Sequence, residues 1–105
     1  MIKAEFFKKN NNYVGFKVSG HAGYGVSGYD IACASVSSAV QITINTITDS
    51  FNILANVNVE SNSITLKSKD ESSEIFHKMV YGFYLHMELL SQEFKKNIKI
   101  VTTEV

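Results

Sequence analysis

Apolar side chains recur at steps of three or four along two stretches of this chain and at steps of two along most of the rest. That change of period constrains the fold more than any other feature. Ile2, Ala4 and Phe6 alternate with Lys3, Glu5 and Phe7, the pattern of a half-buried strand. Lys8-Lys9-Asn10-Asn11-Asn12 predicts a turn, because Asn tolerates positive φ. Val14, Phe16 and Val18 then alternate with Tyr13, Gly15 and Lys17 and complete a hairpin. Cys33, Val36, Val40, Ile44, Ile47 and Phe51 form a helical stripe, with Asp30 placed to cap it. The β-branched run Ile42–Thr48 has low helix propensity and would suit a strand, but the unbroken stripe favours helix.

Val57 and Val59, a Ser61-Asn62-Ser63 turn, then Ile64 and Leu66 predict a second hairpin. Asp70, Glu71 and Glu74 crowd the start of a second helix, where acids suit the dipole. Its stripe is Phe76, Met79, Val80, Phe83, Met87, Leu90 and Phe94; Lys95 and Lys96 close it, and Asn97 is expected to take a left-handed cap. Ile98–Val105 reads as a last strand. The expected fold is α+β, two helices packed on one face of a mostly antiparallel sheet, in the order ββα-ββ-αβ.

The length of 105 residues suits one domain spanning 1–105. Ten lysines balance ten acids and there is no arginine, so the chain lacks the charge and guanidinium forks of a sequence-specific nucleic-acid reader. One cysteine allows neither an internal disulfide nor a thiolate zinc site, and no metal or cofactor is expected. His77 and His86 flank the second stripe on opposite sides and read as surface or interface residues. No basic leader and no apolar run near 18 residues is evident, so a cytoplasmic protein without membrane contact is expected. The second helix also carries Tyr81, Tyr84, Leu85 and Leu89 outside its stripe, which either pack peripherally or form the interface of a homodimer.

The chemistry concentrates between the first hairpin and the first helix. Gly20, Gly23, Gly25 and Gly28 fall within nine positions. Gly23-Tyr24-Gly25-Val26-Ser27-Gly28 matches the G-x-G-x-x-G of dinucleotide-binding folds. Five residues separate it from the strand, however, and Asp49, the acid at the expected distance, sits inside a helical stripe. No second mononucleotide half follows, so the match is accidental. A glycine-rich loop can instead be plain solvent loop or a mobile lid that approaches a ligand closely; Tyr24, Val26 and Tyr29 supply apolar surface for such a lid.

His21 opens this loop and Cys33 follows it. With Asp30 as cap, Cys33 is the third helical residue, at the positive end of the dipole, a position that makes a thiol a better nucleophile. His21 is placed to act as its base; the competing reading is a structural cysteine beside a surface histidine. The first-turn amides can bind an oxyanion. Ser37 lies one turn below Cys33, and Asp30 either caps the helix or orients His21.

Gly20-His21-Ala22, followed by Gly28-Tyr29-Asp30-Ile31-Ala32-Cys33-Ala34-Ser35-Val36-Ser37, closely resembles the signature of the ribosomal-processing cysteine proteases. The length and element order also fit that family. The resemblance implies a dimeric, cytosolic bacterial endopeptidase that removes the N-terminal extension of large-subunit ribosomal protein twenty-seven, cutting after an aromatic residue. It implies that Cys33 is the nucleophile and His21 the base, with Asp30 and Ser37 supporting. Ala32 and Ser35 depart mildly from the family, which more often has Val and a small apolar residue there. The alternatives are a non-catalytic peptide-binding or ribosome-associated module in which Cys33 merely packs, and a thiol redox protein, which a lone cysteine argues against.

Overall fold

Two asparagines make the first turn. Asn10 (φ 52°) and Asn11 (φ 67°) both adopt left-handed backbone, the conformation of a two-residue hairpin loop whose twist matches its strands. They join β1 (Ile2–Lys9) to β2 (Asn12–Ser19), which pair antiparallel with Phe6 opposite Phe16. The computed structural model describes residues 1–20, 29–69 and 73–105, the side chains of Tyr29 and Asp30 excepted. Along it follow α1 (Tyr29–Asn45), a π-helical turn at Thr46–Ser50, β3 (Ala55–Glu60), β4 (Ser63–Ser68), α2 (Glu74–Glu93) and β5 (Ile98–Glu104). The strands form one sheet in the order β3-β4-β2-β1-β5. Three pairings are antiparallel, and β1–β5 is parallel, with Ile2 opposite Ile98.

The β-branched run Ile42–Thr48 is helical and pays for it in an unusual geometry. Thr43, Thr46 and Thr48 each turn the hydroxyl back to the carbonyl four residues earlier, at 2.7, 2.6 and 2.9 Å. Such back-bonding disturbs the helical ladder, and here the helix widens into the π turn, closed by Phe51 N–H on the Thr46 carbonyl at 2.9 Å. The extra residue rotates the stripe, which explains why Ile47 is fully buried but Phe51, expected to be core, is exposed. Asn52 (φ 54°) then turns the chain towards β3. By length and composition Ile31–Ser50 is apolar enough to cross a membrane, which corrects the expectation of no such run. Val36, Val40, Ile44 and Ile47 are buried in the domain's own core, so the apolarity is that of a core helix.

Both helices cover the same face of the sheet. Phe6 is the centre, its ring 5.6 Å from Phe83, 5.1 Å from Tyr84 and 6.2 Å from both Tyr13 and Phe16. Ser73 caps α2 by accepting the Phe76 N–H at 3.3 Å, and Lys95 and Lys96 fall beyond its end at Glu93. Asn97 is not left-handed. Its N–H instead donates to the Phe94 carbonyl at 2.9 Å and its carbonyl accepts the Ile2 N–H at 2.7 Å, which docks β5 on β1.

The two tyrosines outside the second stripe both lie against Tyr13, Tyr81 at 5.3 Å, but they differ in exposure. Tyr84 packs within the chain, 5.2 Å from Tyr13 and stacked on Tyr81 at 6.1 Å. Tyr81, Leu85 and Leu89 remain exposed. His77 is 9% exposed, with an Nε2 that has no hydrogen-bond partner among the described residues. It is therefore a buried residue rather than a surface one, with its ring at 88° to that of the neighbouring Phe76. His86 is exposed, as expected.

Candidate active site

The end of β2 and the start of α1 lie side by side. Val18 of β2 and Val36 and Ser37 of α1 line one groove, so the strand end and the first turns of the helix converge. Gly20, the residue before His21, has φ +79° and its N–H donates to the Asn62 carbonyl at 3.1 Å. A Cβ at this position would collide with the Met1 carbonyl oxygen. Only glycine fits there, because both the backbone angle and the space forbid a side chain.

Cys33 is half-buried and packs against the hydrophobic core. Since α1 begins at Tyr29, Cys33 is its fifth residue rather than its third, and Asp30 is the second helical residue rather than the cap. The physical reason is that helical geometry extends past Asp30 to include Tyr29, so the acid sits inside the first turn. Acids are favourable there too. Helical side chains lean towards the N-terminus, so a side chain at Cys33 leans back over the turn whose amides have no intrahelical acceptor. Ser37 is also half-buried, four residues on and on the same face of α1.

His21, Gly23, Tyr24, Gly25, Val26 and Gly28 lie outside the described residues, as do the side chains of Tyr29 and Asp30. Among the described residues no three His, Cys, Asp or Glu side chains converge as metal ligands would. Size alone does not locate the site. A concavity of about 620 Å³ runs between α1 and α2 and is lined by Ile42, Thr46, Gly82 and His86 among others, without Cys33. The groove holding Ser37 is far smaller, about 120 Å³. Sequence reasoning missed its apolar members Val18, Val40 and Ile64, which carry only a core-like signal.

A model of the family described as cysteine protease Prp matches residues 1–99. The chain belongs to the cysteine protease Prp family. It is thus a cysteine protease, and Cys33 is its only cysteine. No curated protein matches this Prp-family chain. Its fold is that of the ribosomal processing protease Prp from S. aureus in complex with a substrate peptide, with a TM-score of 0.90 at 18% identity over 98% of this chain and 100% of that one. The same protease with a covalently linked product peptide gives 0.87 at 19% identity, over 98% of this chain and 100% of that one. SMU.848 from Streptococcus mutans gives 0.89 at 20% identity, over 100% of this chain and 96% of that one.

Proposed function

We propose that this cysteine protease is a ribosomal-processing endopeptidase that removes the N-terminal extension of large-subunit ribosomal protein twenty-seven. The observation that carries the reading is that the only cysteine lies in the first turns of α1, one turn before Ser37, which shares a groove with Val18 of the strand preceding His21. The S. aureus relative, a ribosomal processing protease seen with substrate and product peptides, supports it. Cys33 Sγ attacks the scissile carbonyl carbon while His21 takes the thiol proton. The tetrahedral oxyanion is held by amides of the first turn of α1. Collapse breaks the C–N bond, and His21 returns the proton to the leaving amine. Water, deprotonated by His21, then hydrolyses the thioester and frees the acid product and the thiol. Asp30 and Ser37 support the site: Asp30 from the first turn, and Ser37 by steadying the thiolate or a water one turn below.

The segment Gly20–Tyr29 closes over the peptide, with Tyr24, Val26 and Tyr29 as its apolar cover. The enzyme works in the cytoplasm as a homodimer, and the exposed Tyr81, Leu85 and Leu89 of α2 (Leu89 is 64% exposed) suit a subunit interface. No cofactor takes part. The test is to mix the protein with the extended ribosomal protein and to weigh the products by mass spectrometry. One cut, lost in Cys33→Ser with the fold retained, is expected. An uncut substrate, or a serine variant with more than trace turnover, would overturn the assignment.

A further inference from the structure

We propose that the small groove between α1 and the edge strand β3 is a specificity pocket for one apolar side chain of the peptide substrate, seated two or three residues from the scissile bond. This rests on the peptidase reading above and adds the residues that select the substrate. The floor is a continuous apolar row. Val59 stands opposite Ile64 across β3 and β4, and Ile64 opposite Val18 across β4 and β2. Val36 and Val40 of α1 close the other side, and Ser37 stands on the polar rim. The space is about 120 Å³. An apolar cavity of roughly 150 Å³ takes up benzene, so this one suits a leucine, a methionine or the edge of a phenyl ring.

Among the described residues nothing fills this space. Val59, a β-branched residue facing the helix side of the sheet, is 69% exposed. β3 is the terminal strand of the sheet, and among the described residues no strand pairs with its outer edge. An unpaired edge offers backbone N–H and C=O groups to an extended chain, while an adjacent pocket selects every second side chain. The occupant is therefore an extended peptide with an apolar residue in register.

Position along α1 sets which residue that is. Ser37 lies about 6 Å along the helix axis from Cys33 and Val40 about 10 Å. An extended peptide advances about 3.3 Å per residue, which places the pocket two or three residues from the bond attacked at Cys33. The mouth is tied to the catalytic end of the sheet, because the β3–β4 turn accepts the Gly20 N–H at Asn62.

The test uses the full chain and peptides cut by it, each position in turn carrying leucine or alanine. The wild type is expected to prefer leucine at one position, two or three residues from the cut, by about tenfold in kcat/KM. Val59→Lys, at an exposed site that tolerates the change, is expected to abolish that preference while Cys33 is alkylated by iodoacetamide at the wild-type rate. Val59→Ala, which widens the mouth, is expected to shift the preference towards a phenylalanine. Cleavage with an unchanged preference in Val59→Lys would refute the pocket alone, as would a loss confined to the residue next to the cut. No cleavage by the wild type would instead refute the peptidase reading and the pocket with it.

Discussion

Replacing Gly20 with alanine tests how the end of β2 is held. The left-handed backbone at φ +79° costs an alanine about 1–2 kcal/mol. The new methyl would overlap the Met1 carbonyl oxygen, so Gly20 or the start of β1 must move. Movement endangers the Gly20 N–H bond to Asn62, worth about 1 kcal/mol. Alanine stiffens the unfolded chain and returns about 0.4–1 kcal/mol. The net loss is about 2 kcal/mol, or a fall of roughly 10 °C in Tm for a domain of this size. Gly82 is the control: it lies inside α2, and a Cβ there meets nothing within 4 Å. Gly82→Ala is expected to stabilise by about 0.5–1 kcal/mol, since glycine is a poor residue in a helix interior. Urea unfolding of both variants beside the wild type gives the answer. A Gly20→Ala midpoint within about 0.5 kcal/mol of wild type, or a destabilised Gly82→Ala, would refute the reasoning. Because Gly20 precedes His21, peptide cleavage by Gly20→Ala should also fall further than its folded fraction does.

Phe6→Ala removes the ring on which four aromatic contacts converge and should cost about 3–5 kcal/mol, read as a collapse of the urea midpoint; a loss under about 1 kcal/mol would show that the core repacks. Burial, first of all, holds the phenols of Tyr13 and Tyr84 above their ordinary value of 10.0; the charges of Tyr84, Tyr81 and Glu88 add to this at Tyr13, and Glu88 and Tyr81 add to it at Tyr84, where the hydrogen bond with Tyr13 acts in the opposite direction. The neutral phenols favour the fold, so their contribution is complete below pH 10 and is lost as pH rises through the raised values. A phenolate absorbance titration should show late-ionising tyrosines that Tyr13→Phe and Tyr84→Phe remove, and identical curves for wild type and both variants would contradict the cluster.

The element order was legible because period two and period three-to-four rarely mimic each other over whole elements. The Asn10-Asn11 turn was legible for a local reason: Asn accepts the left-handed angles that a two-residue loop needs. What escaped depends on distant partners or on local geometry that residue types do not encode. Asn97 looked like a left-handed cap, but its carbonyl is needed by Ile2. Phe51 continued the stripe on paper, yet the π turn at Thr46–Ser50 rotates it out of the core, and no periodicity encodes one extra residue. His77 looked like a surface or interface residue because its type is often wet, yet the fold leaves it only 9% exposed. At the site, Cys33 stood out as the only thiol, beside a histidine and a glycine-rich stretch. Its depth in α1 depended on where the helix starts, and residues inside that boundary carry no separate signal. Val59 and Ile64 look like ordinary strand residues, and only the sheet order makes one of them an open mouth.

The parallel pairing of β1 with β5 has a consequence for how the enzyme comes into being. Ile2 lies beside Ile98, so the strand made first finds its neighbour only after some ninety-six residues have been added. Contacts of such long sequence separation slow folding, since loop closure must precede any reward. On the ribosome, β1 and β2 can form their hairpin early, but the outer side of β1 stays an open edge until β5 emerges. Assembly of the sheet is thereby deferred to the end of synthesis. A protease built this way acquires its finished scaffold late, when most of its own chain has already left the ribosome.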